Sequence, residues 1–135
     1  MAIVDAQSTA VTFEDNLAAA QTITRKISVN GPGPSVTVKD RTTLEDTTYE
    51  VKAPGLLNAN QVEIEVYHDL SDAGQAALDD AMDNRHTREL VITYSDASTT
   101  TCQAFVSAST GPQAQVNGDV TNTYTLEISG APVKA

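Results

Sequence analysis

The chain has 135 residues and a formal net charge of −10, from 18 acidic and 8 basic side chains. Its length predicts a single domain that buries roughly two thirds of its unfolded surface. The acidic balance argues against tight phosphate binding, which needs clustered cations. The absence of tryptophan and an aromatic content of only 4% leave few stacking platforms for bases or sugars.

Cysteine content and hydropathy narrow the class further. The single cysteine, Cys102, excludes an intrachain disulfide and a cysteine-based zinc site within one subunit. No apolar run approaches the roughly 20 residues that a membrane-spanning helix needs, and the N-terminus lacks the pattern of a signal peptide. These features predict a soluble domain made inside the cell, without a membrane partner.

The first 20 residues show no sustained hydrophobic period. Phe13 and Leu17 are isolated among small, polar and acidic residues. We therefore expect residues 1–20 to form an N-terminal arm, mobile or docked, ahead of one domain over residues 21–135.

From Thr22 to Val29 the sequence alternates with period two, which predicts a strand. The run Asn-Gly-Pro-Gly-Pro at 30–34 then interrupts it, and Val36 and Val38 resume the alternation. The simplest interpretation is two strands around a turn.

A long polar connection follows, over residues 39–61. It holds one short strand candidate at 48–53 and a breaker at Pro54-Gly55. Such a long loop is unusual in a small domain and indicates a function of its own. After it, Val62, Ile64 and Val66 alternate with polar residues, as is typical of a half-buried strand.

One helix is predicted, over about residues 71–84. Ser71 or Asp72 can cap its first turn, and Asp72 also complements the positive end of the helix dipole. A narrow apolar stripe through Leu78 and Ala81 faces one side.

Three further strands are predicted around residues 90–94, 102–106 and 120–128, with a hairpin turn at 96–98. Several alternating strands with one inserted helix favour a mainly β fold, an antiparallel β-sandwich or barrel with one flanking helix.

The residues show no pattern of an active site. His68 and His86 do not form a spaced ligand pair, and Cys102 sits in mid-strand at an apolar position. The serine-hydrolase, EF-hand, Walker and dinucleotide-binding motifs are absent. We predict that the protein is not an enzyme and needs neither cofactor nor metal.

Three landmarks occur in a defined order: Pro54-Gly55-Leu56 at the end of the long connection, Ser71-Asp72-Ala73-Gly74-Gln75 at the helix start, and Ser129-Gly130-Ala131-Pro132 after the last strand. With them, residues from about 42 to 132 resemble the major tail tube proteins of long-tailed, non-contractile bacteriophages. One departure is Asp96-Ala97, where that family often has Asp-Gly, so the turn there must be of a different type.

The resemblance implies a β-sandwich with one flanking helix, assembled as hexameric rings that stack into a hollow tube for the genome. The partners would be further copies of the chain, the tape measure protein, the tail terminator and the tail tip. The protein would be made in the host cytoplasm and reside in the virion tail. Six copies at −10 each give −60 per ring, so DNA would pass without specific binding.

Two sets of residues are candidates for that function. Glu63, Glu65 and Glu127, on polar strand faces, are candidates to line the lumen, with the outer tube surface as the alternative. The candidates for contacts between subunits or rings lie in the long connection: Asp40, Arg41, Thr42, Glu45 and Asp46.

A different class of function also fits part of the pattern. An immunoglobulin-like or carbohydrate-binding surface module would suit threonine-rich strands with a single helix. Carbohydrate sites usually present exposed tryptophan or tyrosine, however, and tryptophan is absent here.

Overall fold

The computed structural model describes residues 9–15, 19–45, 47–69, 71–114, 116 and 118–135. The elements in this part of the chain are β1 (Ala10–Glu14), β2 (Ala20–Ile23), β3 (Lys26–Asn30), β4 (Ser35–Asp40), β5 (Lys52–Asn58), β6 (Gln61–Tyr67), α1 (Ala73–Asn84), β7 (Arg88–Thr93), β8 (Thr99–Ser109) and β9 (Thr121–Lys134). The predicted class, mainly β with one helix, is confirmed. None of the helical structure described is long and apolar enough to span a membrane.

Seven strands form one antiparallel sheet in the order β2-β1-β7-β8-β9-β6-β3. The sheet curls into a half-barrel. Its long central strands, β8 and β9, are flanked at different heights: β7 pairs with β8 only up to Ala104, whereas β6 pairs with β9 from Thr121 to Glu127. Because Glu127 lies opposite Phe105, the two halves of the sheet are staggered along the central pair.

The core lies on one face of this sheet, where the alternation of most strands places their apolar side chains. Helix α1 packs on the same face against β1, β2 and β8. The buried apolar side chains are Val11, Phe13, Ile23, Ala59, Val62, Ile64, Val66, Ala77, Leu78, Ala81, Leu90, Ile92, Cys102, Ala104, Val106, Tyr124, Leu126 and Ile128.

The helix begins and ends as local chemistry dictates. The Asp72 carboxylate accepts a hydrogen bond from the Gln75 N–H at 3.3 Å, which caps the first turn. At the other end, Arg85 adopts the left-handed conformation, with φ of 59°, and its N–H bonds the last turn. The predicted helix and its Asp72 cap are therefore confirmed.

The structure corrects the prediction for the N-terminal 20 residues. β1 lies inside the main sheet between β2 and β7, and its Val11 and Phe13 side chains are fully buried. The prediction of an arm is thus wrong for residues 10–14, since two apolar positions in a five-residue strand are too few to show a period. Residues 1–8 and 16–18, with Leu17, lie outside the described residues.

A second correction concerns the alternating run from Thr22 to Val29. Arg25 has a φ of 55°, in the left-handed region, and divides the run into β2 and β3. These two strands occupy opposite edges of the main sheet. The strands on either side of residues 30–34 also do not pair with each other, because β3 pairs with β6 and β4 with β5.

The connection over residues 39–61 is only partly a loop. Its described residues at 41–51 lie in no strand, but β5 covers Lys52–Asn58, further along the chain than the strand predicted at 48–53. β4 and β5 form a two-stranded sheet of their own, and β5 continues through Pro54-Gly55. Proline is tolerated here because both strands of a two-stranded sheet are edges. We call residues 35–58 the hairpin arm; it prolongs the paired strands β3 and β6 beyond the main sheet.

Candidate assembly surfaces

The three predicted lumen residues lie on one surface, the sheet face opposite the core. Glu63 and Glu65 lie on β6, opposite Thr125 and Thr123 of β9, and Glu127 of β9 lies opposite Gln61. Glu63 is exposed, whereas Glu65 and Glu127 are half-buried among their neighbours. The pleat therefore brings the three carboxylates together on two adjacent strands.

Two further carboxylates share this face and were missed by the sequence reasoning. Glu89 of β7 lies opposite Gln103, next to the buried Leu90, and Glu14 follows the buried Phe13 on β1. The alternation around Leu90 contained the signal for Glu89, whereas Glu14 belonged to a strand that was not predicted. We call the surface that carries Glu14, Glu63, Glu65, Glu89 and Glu127 the carboxylate face.

The basic side chains of the seven strands all point to the other side. Lys26 pairs with Val66, Arg88 with Ala104 and Lys134 with Thr100, and each of these partners is buried on the core side. Arg88 is itself buried and donates to the Asp80 carboxylate at 2.9 Å. Across the strands that the structure describes, the carboxylate face thus carries five acids and no cation.

A second surface is the tip of the hairpin arm, where three of the predicted contact residues take part in hydrogen bonds. The Thr42 N–H donates to the Asp40 carboxylate at 2.9 Å, and the Thr42 hydroxyl accepts from the Val51 N–H at 2.9 Å. Arg41 closes the turn through its N–H to the Val51 carbonyl at 2.8 Å. The hydrogen bonds from Thr42 lower the pKa of the Asp40 carboxyl.

The remaining two predicted contact residues lie further out. Glu45 is exposed, and Asp46 lies outside the described residues. Beyond Thr42, the tip is polar as expected, but it also presents two large exposed side chains, Leu44 (99%) and Tyr49 (84%).

The strands of the hairpin arm carry an apolar stripe that sequence reasoning also missed. Val36 lies opposite Leu57, and Val38 lies opposite Pro54, so all four share one face. Val38 is 65% and Leu57 75% exposed. The alternation of β4 contained the sequence signal for this stripe. Only the structure shows that the stripe continues onto β5 and that nothing in the described chain covers it.

Among the residues described, no group of three or more histidine, cysteine or acidic side chains could hold a metal ion. Cys102 is buried and donates to the Leu90 carbonyl, and burial raises the pKa of its thiol. As predicted, it behaves as a small core side chain.

Solved structures with the same fold include chains of tubes and tail assemblies. A chain of the anti-feeding prophage baseplate is similar with a TM-score of 0.77, 13% identity, and coverage of 100% of this chain and 97% of that chain. A chain of the tail of an empty gene transfer agent particle has a TM-score of 0.78, 11% identity, and coverage of 98% and 99%. The SPP1 tail tube protein is similar with a TM-score of 0.73 and 19% identity. The match covers 98% of this chain and 78% of that chain. No curated protein sequence matches the chain.

The family model described as phage tail tube protein matches residues 6–135. The chain therefore belongs to the phage tail tube protein family. It is a structural component of the virion tail and not an enzyme.

Proposed function

We propose that copies of this protein form hexameric rings that stack into a hollow tube, and that DNA passes through this tube with the carboxylate face toward the lumen. The observation that carries the proposal is the segregation of charge on the main sheet. Five acids lie on the face opposite the core, and the three strand cations lie on the core side.

Electrostatics explain why such a wall would suit DNA passage. Proteins hold DNA by neutralising phosphates with lysine and arginine, which releases condensed counterions. A wall of carboxylates without cations offers no such contact and repels the phosphates over about a Debye length. The DNA would therefore slide through a tube to which it does not adhere.

The hairpin arm would supply contacts between copies. Its exposed tip and apolar stripe project beyond the main sheet, and Asp40, Arg41, Thr42 and Glu45 lie where the arm turns back. Contacts with the tape measure protein, the tail terminator and the tail tip belong to the same proposal. Similar folds in a sheath/tube terminator and in a tube-terminating cap support shared geometry at the tube ends.

Cryo-electron microscopy of tubes assembled from the purified protein tests the arrangement. We expect six subunits per ring, with Glu63, Glu65 and Glu127 toward the channel. A tube with all three on its outer surface, or with another number of subunits, would contradict the proposal.

A charge-reversal pair tests the function. E63K/E65K should leave tubes intact but slow DNA ejection from particles, with the delay relieved at high salt because added cations screen the new attraction. D96K/D119K changes the net charge equally at two exposed turn positions and should eject DNA normally. Equal ejection by both variants would refute a lumen-facing role.

A further inference from the structure

The hairpin arm and the open edge of β8 fit each other as two halves of one contact. We propose that β4 of one copy adds as a strand to the edge of residues 105–109 in a second copy, seated in the groove beside it. The inference rests on the proposed self-assembly and names the surface that receives the arm.

The hairpin arm leaves an apolar stripe and one strand edge uncovered. A two-stranded sheet is marginally stable by itself in water, and this one turns an apolar stripe, Val36, Val38, Pro54 and Leu57, to solvent. All six residues of β4 are exposed, and β4 has a pairing strand on one side only. Its other edge presents unpaired backbone groups that a second chain can satisfy.

The receiving surface is equally incomplete. Beyond Ala104, β8 has β9 on one side and, in the described chain, no strand on the other. This open edge spans five residues, 105–109, against six in β4. A groove of about 480 Å³ lies along it, lined by Arg85, Thr87, Phe105, Val106 and Ser107, and Phe105 is 39% exposed. Strand addition to such an edge provides backbone hydrogen bonds, and the groove takes the side chains.

A second copy of this chain suits the groove because every copy carries both open edges, that of β4 and that of β8, and because the arm repels another copy less than the rest of the chain does. The arm carries three basic residues, Lys39, Arg41 and Lys52, against four acidic ones, so its own net charge is only −1. Residues 59–135 hold 11 acidic against 3 basic residues, a net charge of −8. The groove itself is lined by one cation, Arg85, and Glu127 lies opposite its Phe105.

The topology makes the contact intermolecular and head-to-tail. The arm extends from β3 and β6 on one side of the central pair, whereas the groove lies on the β7 side of β8. β8 and β9 stand between the two surfaces of one copy. A contact between unlike surfaces of successive copies closes into rings or propagates as a filament.

Cysteine pairs in the full chain test the contact. V38C is combined with F105C, S107C or S109C, and assembled tubes are oxidised and run on a denaturing gel. Each copy then carries a donor and an acceptor, so at least one of the three should give a ladder of covalent multimers, whereas V38C alone should give no more than dimers. The native Cys102 is buried and does not compete.

The matched control is V38C/Q103C. Gln103 is exposed on the same strand, but at a height where β7 already pairs with β8, so no ladder should form. Normal tubes without a ladder from all three pairs, or with an equal ladder from the control, would overturn the inference while leaving the proposed tube intact. A protein that forms no tubes under any condition would overturn both.

A second pair of variants measures how much the apolar stripe contributes to assembly. V38S/L57S should raise the protein concentration needed for assembly at least about tenfold, equivalent to about 1.4 kcal/mol per contact, while the circular dichroism spectrum stays native. L44S changes an exposed apolar residue outside the stripe. It should raise the protein concentration needed for assembly by less than V38S/L57S does. Unchanged assembly by V38S/L57S would contradict the docking.

Discussion

The carboxylate of Asp72 accepts hydrogen bonds from both the N–H and the hydroxyl of Thr24, at 3.2 and 2.9 Å, across 48 residues of sequence. Thr24 lies in the two-residue link between β2 and β3, where the chain passes from one edge of the main sheet to the other. The same carboxylate caps α1. One buried acid thus ties the helix to the corner at which the sheet curls.

Removing that carboxylate should loosen both elements. We expect Asp72→Ala to lower the free energy of unfolding by about 2–3 kcal/mol, because it removes a helix cap and leaves the Thr24 N–H without its partner. Urea denaturation followed by circular dichroism measures this. Asp83→Ala, on the exposed side of the same helix, should change stability by no more than about 0.5 kcal/mol; equal losses would contradict the role of Asp72.

Gly74 sits where the helix meets the backbone of β2. A Cβ at this position would lie 2.5 Å from both the Ile23 Cα and the Thr22 carbonyl oxygen. Gly74→Ala should therefore destabilise the fold by about 2 kcal/mol or more, despite the higher helix propensity of alanine. Gly33→Ala, which meets nothing within 4 Å, is the control. Thermal melts compare the stability of the two variants with that of the parent. A Gly74→Ala variant more stable than the parent would show that the helix can move away from β2.

The two phenylalanines separate folding from assembly. Phe13 is fully buried in β1, and Phe105 is 39% exposed beside the groove. Phe13→Ala should cost about 3–5 kcal/mol of stability through the lost burial and the cavity left behind. Phe105→Ala should cost about 1 kcal/mol or less and act mainly on assembly. A mild effect of Phe13→Ala in chemical denaturation would place residues 10–14 outside the core after all.

Tyr124 predicts how stability depends on alkaline pH. Its hydroxyl donates to the Asp79 carboxylate at 3.0 Å, and burial, followed by the charge of Asp79, raises the pKa of Tyr124 above its usual value of 10.0. Above about pH 10 the unfolded chain loses this proton and the folded chain keeps it, so the free energy of unfolding should fall as the pH rises.

Tyr124→Phe isolates this contribution. It should be less stable than the parent near neutral pH by about 1 kcal/mol, because a hydrogen bond to a charged group is lost, and its stability should fall less steeply above pH 10. Tyr49→Phe, at an exposed position, should follow the parent at every pH. Urea denaturation between pH 7 and 11 provides the comparison, and parallel curves for the parent and Tyr124→Phe would contradict the assignment.

Local patterns predicted those parts of the fold in which the signal lies within a few residues. The alternation of Val62, Ile64 and Val66 and the cap at Asp72 describe chemistry complete within one strand or one helical turn, and both are confirmed. The parts that failed depend on distant residues. The break at Arg25 follows from the closing of the sheet, and β5 crosses Pro54 because no third strand lies beside it.

For the candidate surfaces, the same division holds. Alternation alone placed Glu63, Glu65 and Glu127 on polar strand faces, and the pairing of β6 with β9 showed that they are neighbours. Glu14 could be assigned to this face only once β1 was known to be a strand of the main sheet. The apolar stripe on the hairpin arm could be recognised only from the register of β4 against β5.

The sequence by itself determined the acidic charge, the mainly β character, the helix and its cap, and the resemblance to tail tube proteins, because composition and short periods depend only on neighbouring residues. The tertiary structure alone decided which strands pair, how the two halves of the sheet are staggered, and which edges stay open. Pairing joins residues far apart in the chain, and its register is set by the shared core, so no local pattern contains it. The separation of acids from cations across the main sheet follows from that register.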